Sequence, residues 1–207
     1  MLRLRTFGLK SIEIPFSEAS AGDILCSDNK IVASADYSGS GKTAIGIVIN
    51  KASGVLRIMA LTTVTQKWGG YGSNISLDDI TTENGAIADT NGEGHTQTMI
   101  TDIGNIPDDT IAFNAYVYSV TGATSGWYMG SIGEIYMIGQ NLSAINTARQ
   151  AIGLSAIGNY VVILASSEYD AELCWYGYTG TGTFTLNGDL AKGLNMYSTY
   201  PLLKKTY

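Results

Sequence analysis

The chain has 207 residues, enough for one large domain or for one domain with a tail. Hydrophobic residues make up 45% of it, which argues for a sizeable core and against wholesale disorder. Charged residues are only 14%, against about 25% in an average soluble domain, and 12 basic residues face 18 acidic ones for a net charge of −6, which argues against a general nucleic-acid binder with its basic footprint.

Gly (25) and Tyr (13) are plentiful, while there are 3 Pro and a single His. That balance suits turn-rich β proteins and contact surfaces. The longest apolar runs, Ala44–Ile49 and Val161–Ala165, have the length of buried strands and fall far short of the roughly 18 residues of a membrane helix, so no membrane insertion is expected. Met1-Leu-Arg-Leu-Arg-Thr6 lacks the apolar stretch of a secretory signal. Either a signal has been removed, or the protein leaves a cytoplasm by another route, such as assembly into a phage particle.

Along the chain, Leu2 and Leu4, then Ile12, Ile14 and Phe16, alternate with polar residues. This period of two marks strands with one buried face. Residues 1–20 read either as a first strand of the domain or as an arm that pairs with another subunit. Short strands follow at Ile24–Ser27, Ile31–Ala35 and Ala44–Asn50, the last rich in β-branched residues, with Leu56–Thr62 as a hairpin partner through the Lys51–Gly54 turn.

Residues 65–98 show little periodicity, which is expected of a functional or partner-contacting excursion. Asp108-Asp109 are placed to cap a helix carrying Ile111, Ala112, Ala115 and Tyr118. Ser131-Ile-Gly-Glu134 has the form of a capping box, and Ile135, Ile138, Leu142, Ile145 and Ile152 keep helical spacing behind it, with Gly139 and Asn141 as a break. Strands return at Tyr160–Ala165, Leu173–Tyr178, Thr183–Leu186 and Met196–Leu202. Strands, two helices, then strands make an α+β fold with an antiparallel sheet.

The catalytic motifs are weak. Ser38-Gly-Ser-Gly-Lys-Thr43 approaches a phosphate-binding loop, but Asp36 stands where the first Gly belongs and a strand-like run follows where a helix is required; a strand-entry turn is the better account. His95 lies in a polar stretch without a nucleophile motif, and a structural role is expected. No cluster has zinc-ligand spacing. Asp78-Asp79 and Asp108-Asp109 lie outside any calcium-loop pattern, so no metal or cofactor is expected. Cys26 and Cys174 are too few for a disulfide scaffold and read as free, mostly buried thiols.

Aromatic residues carry the stronger signal. Rings with polar edges suit sugar faces and protein partners as well as the core-to-surface boundary. The expected ligand-binding set is Tyr169, Asp170, Glu172, Trp175, Tyr176 and Tyr178, followed by Asn187, Asn195 and Tyr197, on loops rich in Gly, Thr and Asp.

Several segments recur together in one order in a known family. They are Gly22-Asp-Ile-Leu-Cys-Ser27, Gly41-Lys-Thr-Ala-Ile-Gly-Ile-Val48, Met59-Ala-Leu-Thr62, Gly126-Trp-Tyr-Met-Gly-Ser-Ile-Gly-Glu-Ile-Tyr136, Ser143-Ala-Ile-Asn146, and Ser166-Ser-Glu-Tyr169 followed by Trp175-Tyr176. Over about residues 22–202 the chain resembles lectin-like domains that are similar to formylglycine-generating enzymes and share a variant of the C-type lectin fold. Such domains occur in proteins of gut bacteria and their phages, including receptor-binding proteins diversified by retroelements.

Met129-Gly130 replaces the family's usual Leu-Pro, and Tyr200-Pro-Leu-Leu203 its closing Arg-Pro-Val-like strand. The reactive cysteines of the enzyme branch and the Glu-Pro-Asn or Gln-Pro-Asp triplets of calcium-dependent lectins have no match here. The resemblance therefore implies a C-type lectin-like scaffold without enzymatic activity.

The expectation is a non-enzymatic binding protein of a phage particle, a fibre, tail or capsid decoration component. Residues 1–20 would contact other virion proteins or knit a homotrimer, and residues 21–207 would present C-terminal loops to a host-surface protein or glycan. A bacterial cell-surface adhesin or lipoprotein domain with its signal removed is the alternative. An enzyme of the formylglycine-generating type and a purely structural decoration protein are further alternatives.

Overall fold

The computed structural model describes residues 13–69, 75, 77–102, 110–194 and 197–207. Its longest strand, β4 (Ala44–Ala52), shows why a continuous apolar run becomes a central strand. Ile47 and Ile49 enter the principal core, while Ile45 and Val48 enter a second core on the other side, so both faces are buried. The hairpin to β5 (Val55–Ala60) turns through Ser53 and Gly54 at φ 51° and 74°. Two consecutive positive φ values define the type I′ turn, whose twist matches that of the strands it joins.

Around this hairpin a seven-stranded antiparallel sheet forms from β1 (Glu13–Ile14), β2 (Ile24–Cys26), β3 (Ile31–Val32), β4, β5, β7 (Trp127–Met129) and β12 (Pro201–Thr206), in the order β1-β3-β2-β4-β5-β12-β7. The last strand returns to lie between β5 and β7, pairing Leu202 with Met59 on one side and with Tyr128 on the other. A second sheet holds β6 (Val64–Thr65), β8 (Val162–Glu168), β9 (Leu173–Thr179), β10 (Phe184–Ala191) and β11 (Ser198–Thr199), in the order β10-β9-β8-β11-β6. Its pairs are antiparallel except β11 with β8. The fold is α+β with mostly antiparallel sheets, as the strand–helix–strand order implies.

The expected arm is only partly within view. Residues 1–12 lie outside the described residues. Residues 13–20 are built into the domain: β1 pairs with β3, Ile14 and Phe16 pack on the second core, and Ala19 is fully buried.

Helices α4 (Ile132–Gln140) and α5 (Leu142–Ala151) occupy the expected segment, and the capping box at Ser131 and Glu134 is formed. Asn141 is the elbow between them. Its Nδ2 donates to the carbonyls of Ile49 and Met137, both at 3.1 Å, tying the bend to β4. Gly139 has a different role from a breaker. A methyl group there would lie 2.1 Å from the Phe184 ring, and one on Gly177 would lie 2.4 Å from the same ring, so these two glycines form the slot that seats Phe184.

The structure also corrects the reading of the low-periodicity segment 65–98. It contains α1 (Glu83–Ala88) and most of α2 (Gly92–Asp102). The buried face of α2 is Gly92, Thr96 and Met99, small and polar residues at helical spacing that hydrophobic periodicity misses. Thr96 substitutes hydrogen bonds for apolar burial: its Oγ1 donates to the Gly92 carbonyl at 2.8 Å and accepts the Met129 N–H at 2.9 Å. Helix α3 (Ile111–Tyr116) is capped by Thr110, whose side chain accepts the Phe113 N–H at 3.2 Å. The expected caps Asp108 and Asp109 lie outside the described residues, and Tyr118 falls beyond the helix end.

Candidate functional site

Alternation along β9 sorts its aromatic residues onto two faces. Trp175 and Gly177 face α4, whereas Tyr176 and Tyr178 face away from it. Trp175 is only 4% exposed, donates its indole N–H to the Ile80 carbonyl at 2.6 Å, and stacks at a tilt on Tyr169 with 5.6 Å between ring centroids. The expected strand at 173–178 is present as Leu173–Thr179, and its alternation corrects the place of Trp175 in the ligand-binding set: the indole belongs to the core.

On the opposite face, Tyr178 lies between Val162 of β8 and Thr185 of β10, and Tyr176 between Leu164 and Asn187; Leu164 is buried in a third core against which Tyr176 packs, so the face is open only toward Tyr178. The sheet thus brings Tyr176, Tyr178 and Asn187 side by side. Tyr176 donates its hydroxyl to Asp189 Oδ1 at 3.1 Å; partial burial, followed by this carboxylate, pushes its pKa up to about 12. Asn187 Nδ2 donates to Thr185 Oγ1 at 3.2 Å.

Two further tyrosines frame the open end of this face. Tyr197 leads into β11, which the parallel register Ser198–Ile163 lays beside β8. Tyr160 immediately precedes β8; its backbone N–H donates to the Thr179 carbonyl, its φ is +64°, and its side chain is 69% exposed. Its ring lies 6.4 Å from that of Tyr178, and its hydroxyl is 3.1 Å from Thr181 Oγ1. Between Tyr160 and Tyr197 runs a groove of about 430 Å³, with Thr63, Val162, Ser198 and Tyr200 among its walls.

Other expected site residues lie elsewhere. Asp170 organises the β8–β9 turn, its Oδ1 accepting the N–H groups of Glu172 and Leu173 at 2.8 Å each, with Glu172 exposed at the tip. Tyr169 is half-buried against Trp175, and a methyl group on Gly188 would strike its ring at 2.2 Å. Asn195 lies outside the described residues. Tyr160, Thr63 and Asp189 were missed by sequence reasoning. Gly158-Asn159 signals a turn, but nothing in the sequence shows that the residue after it turns its ring outward.

His95 has neighbours that invite a catalytic reading, and their geometry argues against one. Asp89 Oδ2 lies 3.6 Å from His95 Nδ1 and Ser166 Oγ lies 3.4 Å from the same nitrogen. A hydrolytic triad places the carboxylate and the hydroxyl on opposite ring nitrogens. Ser166 is fully buried as well. Burial lowers the His95 pKa below its usual value, against the pull of Asp89, Glu134 and Asp78.

Both cysteines are free and buried, and burial raises both thiol pKa values, Cys26 to about 11. Lys42 of the phosphate-loop-like stretch is paired with Glu13 at 2.9 Å and with Asp28, and a strand follows it. Among the described residues, no group of three or more His, Cys, Asp or Glu side chains is placed to hold a metal ion. No helix there is long and apolar enough to cross a membrane.

No protein-family model matches the chain, and no curated protein matches it. Among solved structures the fold is similar to that of a fimbrial protein from Bacteroides ovatus, with a TM-score of 0.68 and 14% sequence identity. The likeness covers 92% of this chain and 49% of that one, so the chain spans about half the length of its structural neighbour. At this identity the likeness is one of fold.

Proposed function

We propose that the chain is a non-enzymatic binding domain of a bacterial surface assembly, meeting its ligand through the open, Tyr178 end of the β8–β10 face that is turned away from α4. The observation that carries this reading is the row of tyrosines at the open end of that face. Tyr160 stands 69% exposed beside half-buried Tyr178, with Tyr197 across a groove. Aromatic side chains with polar tips give large contact area at small entropic cost, which is why Tyr is enriched where partners bind.

Likeness in fold to a fimbrial protein supports the cell-surface reading over the particle of a phage. The finer assignment, a C-type lectin-like scaffold, rests on the sequence resemblance. The return of β12 beside β5 and the α4–α5 pair between early and late strands are in keeping with it.

The test is binding of the fluorescently labelled chain to intact gut bacteria and to mucin-coated surfaces, with Tyr178→Ala/Asn187→Ala as the comparison. Saturable binding that falls at least about tenfold in the variant, with its circular dichroism unchanged, is expected. Absence of binding to every surface, or equal binding by the variant, overturns the reading.

A further inference from the structure

Tyr160 combines two unfavourable features. A left-handed backbone is unfavourable for a non-glycine residue, and here it carries an aromatic residue that remains 69% exposed. Asn or Gly is the ordinary occupant of such a position. The backbone is held there by the N–H of Tyr160 on the Thr179 carbonyl, so the end of β9 aims the ring. Strained residues held in place by the surrounding structure cluster at functional sites.

What the ring faces narrows the ligand. The walls of the groove beside it, from Thr63 and Val162 to Tyr197, Ser198 and Tyr200, carry no charged side chain among the described residues. A charged ligand would be desolvated there without a counter-charge. The walls alternate aromatic or aliphatic surface with hydroxyl groups. That pattern matches a pyranose ring, which has an apolar C–H face and an equatorial belt of hydroxyls.

From these observations we infer that the Tyr160–Tyr197 groove is a subsite for a neutral saccharide, with Tyr160 as its stacking platform and the hydroxyls of Thr63 and Ser198 as its polar contacts. This rests on the binding-domain reading above and adds to it the class of ligand and the groove that takes it.

The experiment is an amide NMR titration of the intact chain with mannotetraose, galactotetraose and cellotetraose, with trigalacturonate as the charged control. It is paired with the cell-binding assay, and both are repeated with Tyr160→Asn. Chemical-shift changes confined to residue 63 and to residues 160–163 and 197–200 with at least one neutral sugar, and none with trigalacturonate, are expected. Tyr160→Asn should weaken that sugar at least about tenfold while leaving the melting temperature equal or higher, because Asn accepts the backbone that Tyr160 strains. A merely structural Tyr160 would instead lower it.

Failure of all three neutral sugars to shift these amides overturns the saccharide. If cells are still bound and Tyr160→Asn binds them equally well, only this subsite falls and the binding-domain reading stands. If cell binding is lost in Tyr160→Asn with no sugar-induced shift, the groove belongs to a protein partner, which likewise overturns it. If no surface is bound and no sugar shifts an amide, both readings fall together.

Discussion

Arg57 donates its Nε–H to Glu134 Oε1 at 2.8 Å, although the two are 77 positions apart in sequence and Glu134 is fully buried. The Tyr128 hydroxyl reaches the same oxygen at 3.0 Å, Lys204 Nζ lies 3.8 Å from it, and Oε2 accepts the Ser131 N–H that starts α4. One carboxylate therefore closes a helix end and joins it to β5, β7 and β12.

Removing that carboxylate leaves a partly buried Arg57 without its partner. Glu134→Ala is expected to cost about 3–5 kcal/mol, the scale of a broken buried ion pair. Urea unfolding of the variant measures it, and a loss below about 1 kcal/mol would place the network at the level of a surface pair.

The Phe184 slot predicts an overpacking penalty. Gly139→Ala and Gly177→Ala each put a methyl group within 2.4 Å of the ring, and each should cost about 1–3 kcal/mol. Phe184→Leu in the Gly139→Ala background should recover part of that loss, and thermal melts of the single and double variants check the coupling.

His95 gives the fold a pH dependence of definite sign. Burial favours its neutral form and lowers the folded pKa below the 6.5 of the free side chain. The stability it contributes is complete above that value and is lost as pH falls through the folded pKa. Unfolding free energy measured from pH 8 to pH 5 should therefore fall more in the wild type than in His95→Gln. Parallel curves would show that His95 does not titrate with folding.

The Lys192–Glu168 ion pair is fully buried, with Lys192 Nζ 4.8 Å from the centroid of the Trp68 ring. Burial raises the Glu168 pKa and the ammonium opposes it. Lys192→Met should destabilise by about 3–5 kcal/mol at neutral pH. Without the ammonium the folded pKa rises further, so the protonated acid is favoured in the fold. The deficit should therefore shrink as pH falls toward 4.5, the ordinary value of the group. Chemical denaturation at pH 7 and pH 5 tests this, and an equal deficit at both would contradict it.

Cys26 and Cys174 are buried thiols with raised pKa values. An aromatic disulfide reagent at pH 8 should modify neither in the native protein and both in denaturant. Rapid native labelling of either would show an accessible, activated thiolate.

Much of the architecture was legible locally. The apolar run at Ala44–Asn50, the Ser53-Gly54 turn, the Ser131–Glu134 box and the bend at Asn141 each carry a short-range signal that survives into the fold. Helix α2 did not, because Thr96 earns its buried position through hydrogen bonds to Gly92 and Met129 rather than through hydrophobicity. Of the residues the sequence marks as suited to binding, Tyr176, Tyr178 and Asn187 share one face of the second sheet and Tyr197 lines the groove, whereas strand alternation turns Trp175 into the core.

By itself the sequence determined the α+β class, the principal strand segments, the helix pair and the aromatic character of the C-terminal half, because periodicity, turn chemistry and capping act over a few residues. Only the tertiary structure decided which face each aromatic occupies, that Phe184 needs two glycines from separate elements, and that Tyr160 stands exposed opposite Tyr197. Those outcomes depend on strand register and on pairings such as Ser198–Ile163 and Leu202–Met59. Partners brought together from distant parts of the chain leave no mark in the local pattern of either one.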